Sequence, residues 1–115
     1  MFFPTLYALI LLPYAFAAPT QSLDSATLLQ NGQDAQTLNS EFQSLTVKDA
    51  CDAGQMACVQ NSRATCEFGS WKLQRCKDSE KCFAVPSLKD RGTSLLCTSE
   101  AHALSIIQAS GVKGG

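Results

Sequence analysis

The chain has 115 residues, 45% of them apolar and 17% charged, with six cysteines and a formal net charge of -1. That length is expected to hold one domain, and the balanced charge supplies no phosphate-tracking stripe, so neither a multidomain enzyme nor a nucleic-acid-binding protein is expected. From residue 18 onward Leu, Ile, Val and Phe number only 19, too few to offset the ordering entropy of the chain without covalent help.

Residues 1–17 carry the densest apolar stretch. Leu6 to Ala17 is a run of about a dozen residues ending in Ala15-Phe16-Ala17, shorter than the roughly 20 residues that cross a bilayer. It reads as a secretory signal peptide cleaved before Ala18. Pro4 and Pro13 argue against a buried N-terminal helix. The Gly111 to Gly115 end has no apolar tail, so no lipid anchor of the GPI kind is expected. The mature protein is expected to be secreted, extracellular or in a cell wall, with no membrane anchor.

Residues 18–50 form a cysteine-free, acidic arm. Asn31-Gly32 reads as the end of one helical turn, and a helix starting at Gln33 or Asp34 then carries Ala35, Leu38, Phe42 and Leu45 as an amphipathic stripe. The stripe suits packing against the rest of the chain or contact with a protein partner.

Residues 51–104 hold all six cysteines, at 51, 58, 66, 76, 82 and 97. An even number in a secreted chain implies three disulfides. No C-x2-C pair occurs and His102 is the only histidine, so no metal site is expected. Met56 to Val59, Ser62 to Glu67 and Ser70 to Arg75 read as strands joined by Gln60-Asn61 and Phe68-Gly69, a three-stranded antiparallel meander. Alternation places Ala57, Val59, Ala64, Cys66, Trp71 and Leu73 on an apolar face. Met56, Cys58, Arg63, Thr65, Glu67, Lys72 and Gln74 fall on a solvated one. Cys58 and Cys66 therefore point apart and should not pair. Fifteen pairings are open in principle. The favoured set is Cys51–Cys66, Cys58–Cys97 and Cys76–Cys82, which ties each face to a flanking segment and closes one local loop. A short helix follows, with Thr98 as N-cap, Glu100 in the first turn, Leu104 and Ile107 on one side and Gly111 as its stop. Residues 105–115 are expected to be the end of that helix and a flexible tail. The fold class is thus small, disulfide-rich and mainly β, with short flanking helices at both ends.

No catalytic constellation and no cofactor site are expected: bridged cysteines leave no thiol nucleophile, and a lone His completes no Ser-His-acid set that the sequence reveals. Asp78 and Glu80 beside Lys77 and Lys81 read as a self-neutralising loop. Binding chemistry rests on the aromatics. Trp71 falls on the apolar face, where a core role and a sugar-stacking role are both open. Phe68 sits at a hairpin tip, exposed unless a loop covers it. Phe83 follows Cys82 and is expected to be half-buried.

The spacing Cys51-x-x-Gly54-x-x-Ala57-Cys58-Val59, Cys66-x-x-Gly69-x-Trp71, Cys76-x5-Cys82-Phe83-Ala84-x-Pro86 and Gly92-Thr93-Ser94-x-x-Cys97 resembles the family 19 carbohydrate-binding modules, chitin-binding modules of secreted fungal proteins including chitinases. The likeness runs from Cys51 to about Leu104, and related secreted proteins also look similar through the arm from Leu28 to Phe42. Two features depart from the family pattern: its usual Asn-Gly first turn is Gln60-Asn61 here, and Asp78 and Ser79 replace glycines between the fourth and fifth cysteines. The resemblance implies a non-catalytic protein that binds chitin or chito-oligosaccharides, with Phe68, Trp71 and Phe83 as ligand-binding candidates. The alternative is a disulfide-stapled interaction factor or effector that contacts a protein through the N-terminal arm or the Phe68 tip. A third reading is a protease inhibitor presenting Lys89-Asp90-Arg91 between Cys82 and Cys97.

Overall fold

A computed structural model describes residues 23–114; the expected signal peptide and its cleavage point lie outside them. In chain order the elements are α1 (Ser25–Phe42), β1 (Met56–Val59), β2 (Ser62–Glu67), β3 (Ser70–Gln74), β4 (Lys81–Pro86), β5 (Thr93–Thr98) and α2 (Glu100–Ala109). The strands make two antiparallel sheets, β1-β2-β3 and β4-β5. Two helices flank them.

The meander forms where the spacing places it. Ala57 pairs with Ala64, Ala64 with Leu73, and Cys66 with Trp71. Both residues of each turn take positive φ, 51° and 68° at Gln60-Asn61 and 54° and 77° at Phe68-Gly69, the backbone that matches the twist of a two-residue hairpin. Ala57, Val59, Ala64, Cys66 and Trp71 make one buried cluster, closed from outside by Phe42, Leu45 and Cys51.

Two details of the expected faces are corrected. Leu73 is 41% exposed and lies outside the buried cluster that Phe42, Leu45 and Cys51 cover. On the face expected to be solvated, Met56, Glu67, Lys72 and Gln74 are exposed as expected, but Cys58 is buried and the guanidinium of Arg63 donates from Nη2 to the Leu95 carbonyl at 3.3 Å, since the β4-β5 sheet stands against that part.

The β4-β5 hairpin is an element the sequence reading lacked. Cys82 is buried, Phe83 half-buried, and Ala84, Val85 and Pro86 are buried in succession, so the strand shows no clear period of two to mark it. This hairpin also corrects the disulfide pairing. Cys51–Cys66 forms as expected, but Cys58 joins Cys82 and Cys76 joins Cys97. Cys82 and Cys97 are direct cross-strand partners; Cys82 reaches outward to β1 of the meander and Cys97 to the segment that leaves β3. The expected Cys58–Cys97 and Cys76–Cys82 bonds are replaced by two bridges that tie one sheet to the other.

Helix α1 begins earlier than expected. Asp24 caps it, accepting from the Thr27 amide at 2.7 Å, and the helix runs through Asn31-Gly32 without a break. Its inward face consists of Asn31, Gly32 and Ala35, all buried, followed by Leu38 and Phe42, which pack on Ala35, Ala84 and Ile107. Two amides substitute for apolar residues there. Asn31 donates to the carbonyls of Ser87 and Asp90, at 3.0 and 2.8 Å, and accepts from the Gly92 amide and Arg91 Nη1, at 2.7 and 3.0 Å. Asn39 exchanges two hydrogen bonds with the Ala84 backbone, at 2.9 and 2.7 Å, and so behaves like one more residue of a ladder along the outer edge of β4. The arm and the cysteine-rich region therefore share one core.

Helix α2 starts one residue later than expected. Ser99, not Thr98, accepts from the His102 amide at 3.1 Å. Thr98 Oγ1 instead lies 2.9 Å from the His102 ring. Gly111, at φ 98°, ends the helix as expected, but the segment after Leu104 is no loose tail. Ile107 and Ser110 are buried, Val112 packs on the second cluster, and the Lys113 carbonyl accepts from Gln36 at 2.7 Å.

Gly32 sets how closely α2 approaches α1. A Cβ there would stand 1.9 Å from Ser110 Oγ, 2.9 Å from Ser110 Cβ and 3.1 Å from Val112. Gly32→Ala gains up to about 1 kcal/mol of helix propensity but forces the buried C-terminal turn outward, at roughly 1 to 3 kcal/mol. A net loss of stability is expected in chemical denaturation, relieved when Ser110→Gly is added.

Hydrogen bonds hold two carboxylates of α1 below their ordinary pKa of 3.8: Asp24 through the amide of Thr27, and Asp34 through Gln30 and then Arg91, whose Nη1 lies 2.8 Å away. A depressed folded pKa means that the contribution is complete above the unfolded value and disappears as pH falls through the lower, folded one. Carboxyl resonances of Asp24 and Asp34 should titrate below 3.8, and acid should loosen the start of α1 before the sheets.

Candidate binding surface

The three aromatic candidates fall in three different settings. Trp71 is 6% exposed, sandwiched in the meander cluster beside Cys66. Its ring is unavailable to a ligand, which corrects its place among the stacking residues. Its buried indole Nε1 has no hydrogen-bond partner.

Phe68 is 99% exposed, and its φ of 54° is one that a bulky residue rarely adopts. Two unfavourable features therefore coincide on one side chain: a large apolar ring in water, and left-handed backbone costing on the order of 1 kcal/mol or more. Nothing in the packing of the fold requires either. Asn or Gly would serve the turn better. The tip is also firmly held, because Cys66, two residues earlier, is bonded to Cys51 and Gly54 and Gln55 pair with the Cys66 backbone at 3.0 and 2.8 Å. Glu67, Ser70 and Lys72 beside it are exposed.

Phe83 is half-buried, as expected, and lines a groove bounded by α1, β4 and α2. Two adjoining lobes, of about 230 and 190 Å³, share Asn39, Gln43, Phe83 and Glu100. Phe42 and the Cys58–Cys82 bridge close one end; Ala103, Leu104 and Ile107 close the other. Asn39 is committed to the β4 backbone. Gln43, Lys81 and Glu100 stand exposed around the rim. Gln43, Asn39 and Glu100 were not among the sequence candidates; their only signal is that both helices close over β4, a strand that the reading lacked.

The two other surfaces considered from sequence look different in three dimensions. The apolar stripe of the N-terminal arm is turned inward, Ala35, Leu38 and Phe42 into the second cluster and Phe42 and Leu45 onto the first. Within the Lys89-Asp90-Arg91 loop, Arg91 is bonded to Asp34 and Asn31, and the Asp90 carbonyl to Asn31. The loop is drawn onto α1.

Among the described residues no helix is long and apolar enough to cross a membrane, and no group of three or more His, Cys, Asp or Glu gathers as a metal site. Comparison with protein-family models, curated proteins and solved structures finds no match for this chain.

Proposed function

We propose that the protein is a secreted, non-catalytic carbohydrate-binding protein whose ligand is chitin. The observation that carries this reading is Phe68: a fully exposed ring, on a backbone conformation it disfavours, at the tip of a hairpin stapled by Cys51–Cys66. An open aromatic face suits the apolar face of an N-acetylglucosamine ring, and the held backbone of the tip limits the entropy lost on contact. The groove beside Phe83 has the other composition a sugar needs, an aromatic wall with a few polar side chains on its rim. Spacing of the six cysteines and the Ala84-x-Pro86 and Gly92-Thr93-Ser94 words adds the resemblance to family 19 modules. Three disulfides suit the oxidising space that the leader implies. Each ring contact is worth only about 0.5 to 1.5 kcal/mol beyond area burial, so retention depends on repeated contacts along a polymer.

The mature protein should be retained on insoluble chitin in high salt. Phe68→Asn keeps the turn and removes the ring, and should release most of the protein while raising its stability slightly. Phe83→Ala should weaken retention less. Free passage of the unaltered protein, or full retention of Phe68→Asn, contradicts the reading.

A further inference from the structure

Away from both aromatic sites, a cavity of about 380 Å³ opens between the end of β3 and β5, lined by Arg63, Gln74, Arg75, Cys76, Lys77, Glu80 and Cys97. The Cys76–Cys97 bridge forms its wall. Three cations converge there. Of the nine Lys and Arg in the chain, only Arg91 makes an ion pair among the described residues, so Arg63, Arg75 and Lys77 all lack a carboxylate partner. Glu80 is the one acid on the cavity and pairs with none of them.

Arg63 is the informative member. It lies on β2 directly across from Gln74, on the face turned toward the second sheet. One nitrogen, Nη2, donates to the Leu95 carbonyl at 3.3 Å, and Nε is buried with no partner. A partly buried guanidinium with one long hydrogen bond and no counter-charge is unfavourable by itself. Two more cations on the same cavity add repulsion. One ligand chemistry supplies the missing counter-charge for all three cations: an anion with several acceptor oxygens, which forks of N–H donors bind through short charge-assisted hydrogen bonds.

We infer that this cavity is a binding site for a tetrahedral oxyanion, sulfate or phosphate, as the free ion or as an ester group on a small molecule. Arg63, fixed between the sheets, supplies the floor. Arg75 and Lys77, exposed on the chain that leaves β3, close on the anion from outside, and Gln74 adds an uncharged donor. The site does not depend on the reading of Phe68 and lies at the opposite end of the β2-β3 hairpin from it.

The test uses the full mature chain with its disulfides intact, followed by NMR at constant ionic strength while sodium sulfate, sodium phosphate or sodium chloride is added. N-acetylglucosamine 6-sulfate and glucose 6-phosphate serve as ester arms. Sulfate or phosphate should shift the Arg63, Arg75 and Cys97 resonances saturably, and chloride should not. A tighter response to an ester assigns the site to ester groups, and an equal response assigns it to the free ion. The double variant Arg75→Gln and Lys77→Gln alters two exposed side chains and should fold normally; its affinity should fall at least about tenfold. Glu80→Gln should tighten binding. An identical response to sulfate and chloride, or unchanged affinity in the double variant, overturns the inference.

Discussion

Reducing the three disulfides is expected to unfold the protein outright at room temperature. The interior contains few large apolar groups: Val59 and Asn31 are the largest side chains that are completely buried, and most of the remaining core is Ala and Cys. Between the two sheets the non-covalent ties include a hydrogen bond from the Cys82 amide to the Asn61 carbonyl at 3.2 Å and the Arg63 contact to Leu95. Cys58–Cys82 and Cys76–Cys97 hold those sheets together across separations of 24 and 21 residues. Loops of that length make each bridge worth roughly 3 to 4 kcal/mol on the chain-entropy account, against a total stability of about 5 to 15 kcal/mol for an ordinary domain. Removing both exceeds what so small a core supplies. Circular dichroism with and without reductant reads the result directly. The paired variant Cys58→Ser and Cys82→Ser should lose about 2 to 5 kcal/mol by itself. A cooperative melt that survives full reduction with its midpoint unchanged would show that packing alone suffices.

Asn31→Ala is expected to be the most damaging single substitution outside the cysteines. The side chain is 0% exposed and makes four hydrogen bonds, three of them to the backbone of the β4-β5 connection and one to Arg91. Truncation leaves the Ser87 and Asp90 carbonyls and the Gly92 amide without this partner, on a part-buried seam between α1 and the loop. Each unsatisfied group costs about 1 to 3 kcal/mol, and partial relaxation of the loop leaves a net loss of roughly 3 kcal/mol or more. Because Arg91 also loses its acceptor, the Arg91 to Asp34 contact should loosen with it. Urea denaturation measures the loss, and hydrogen exchange should show faster exchange at Gly92. Asn39→Ala, which frees only the two Ala84 groups, should cost less.

The same asparagine shows where sequence reasoning succeeds and where it stops. The meander was legible because its strands alternate and its turns are two residues long. That hairpin geometry fixed both the Cys66-to-Trp71 register and the exclusion of a Cys58–Cys66 bond. The start of α1 was not legible. Asn31-Gly32 has the composition of a helix stop, and only the tertiary fold shows that the amide faces a loop needing four hydrogen bonds and that the glycine faces Ser110. The β4-β5 hairpin escaped for a related reason. A strand buried on both sides has no clear alternation, and without it Cys82 and Cys97 could not be seen as neighbours, one bound for Cys58 on β1 and the other for Cys76 just past β3. Among the aromatics, alternation correctly placed Trp71 on the buried face and the turn placed Phe68 at a tip. The groove beside Phe83 depends on two helices closing over the unseen strand, so its rim residues Gln43 and Glu100 had no local signature.

Titration of the mature protein with a soluble chito-oligosaccharide, followed by NMR, tests the sugar-binding account at its centre. Saturable shifts of the Phe68 ring and of the Glu67 to Ser70 amides, lost in Phe68→Asn, are the predicted result. An absence of shifts across the whole protein at millimolar sugar, or shifts that remain unchanged in Phe68→Asn, would contradict it.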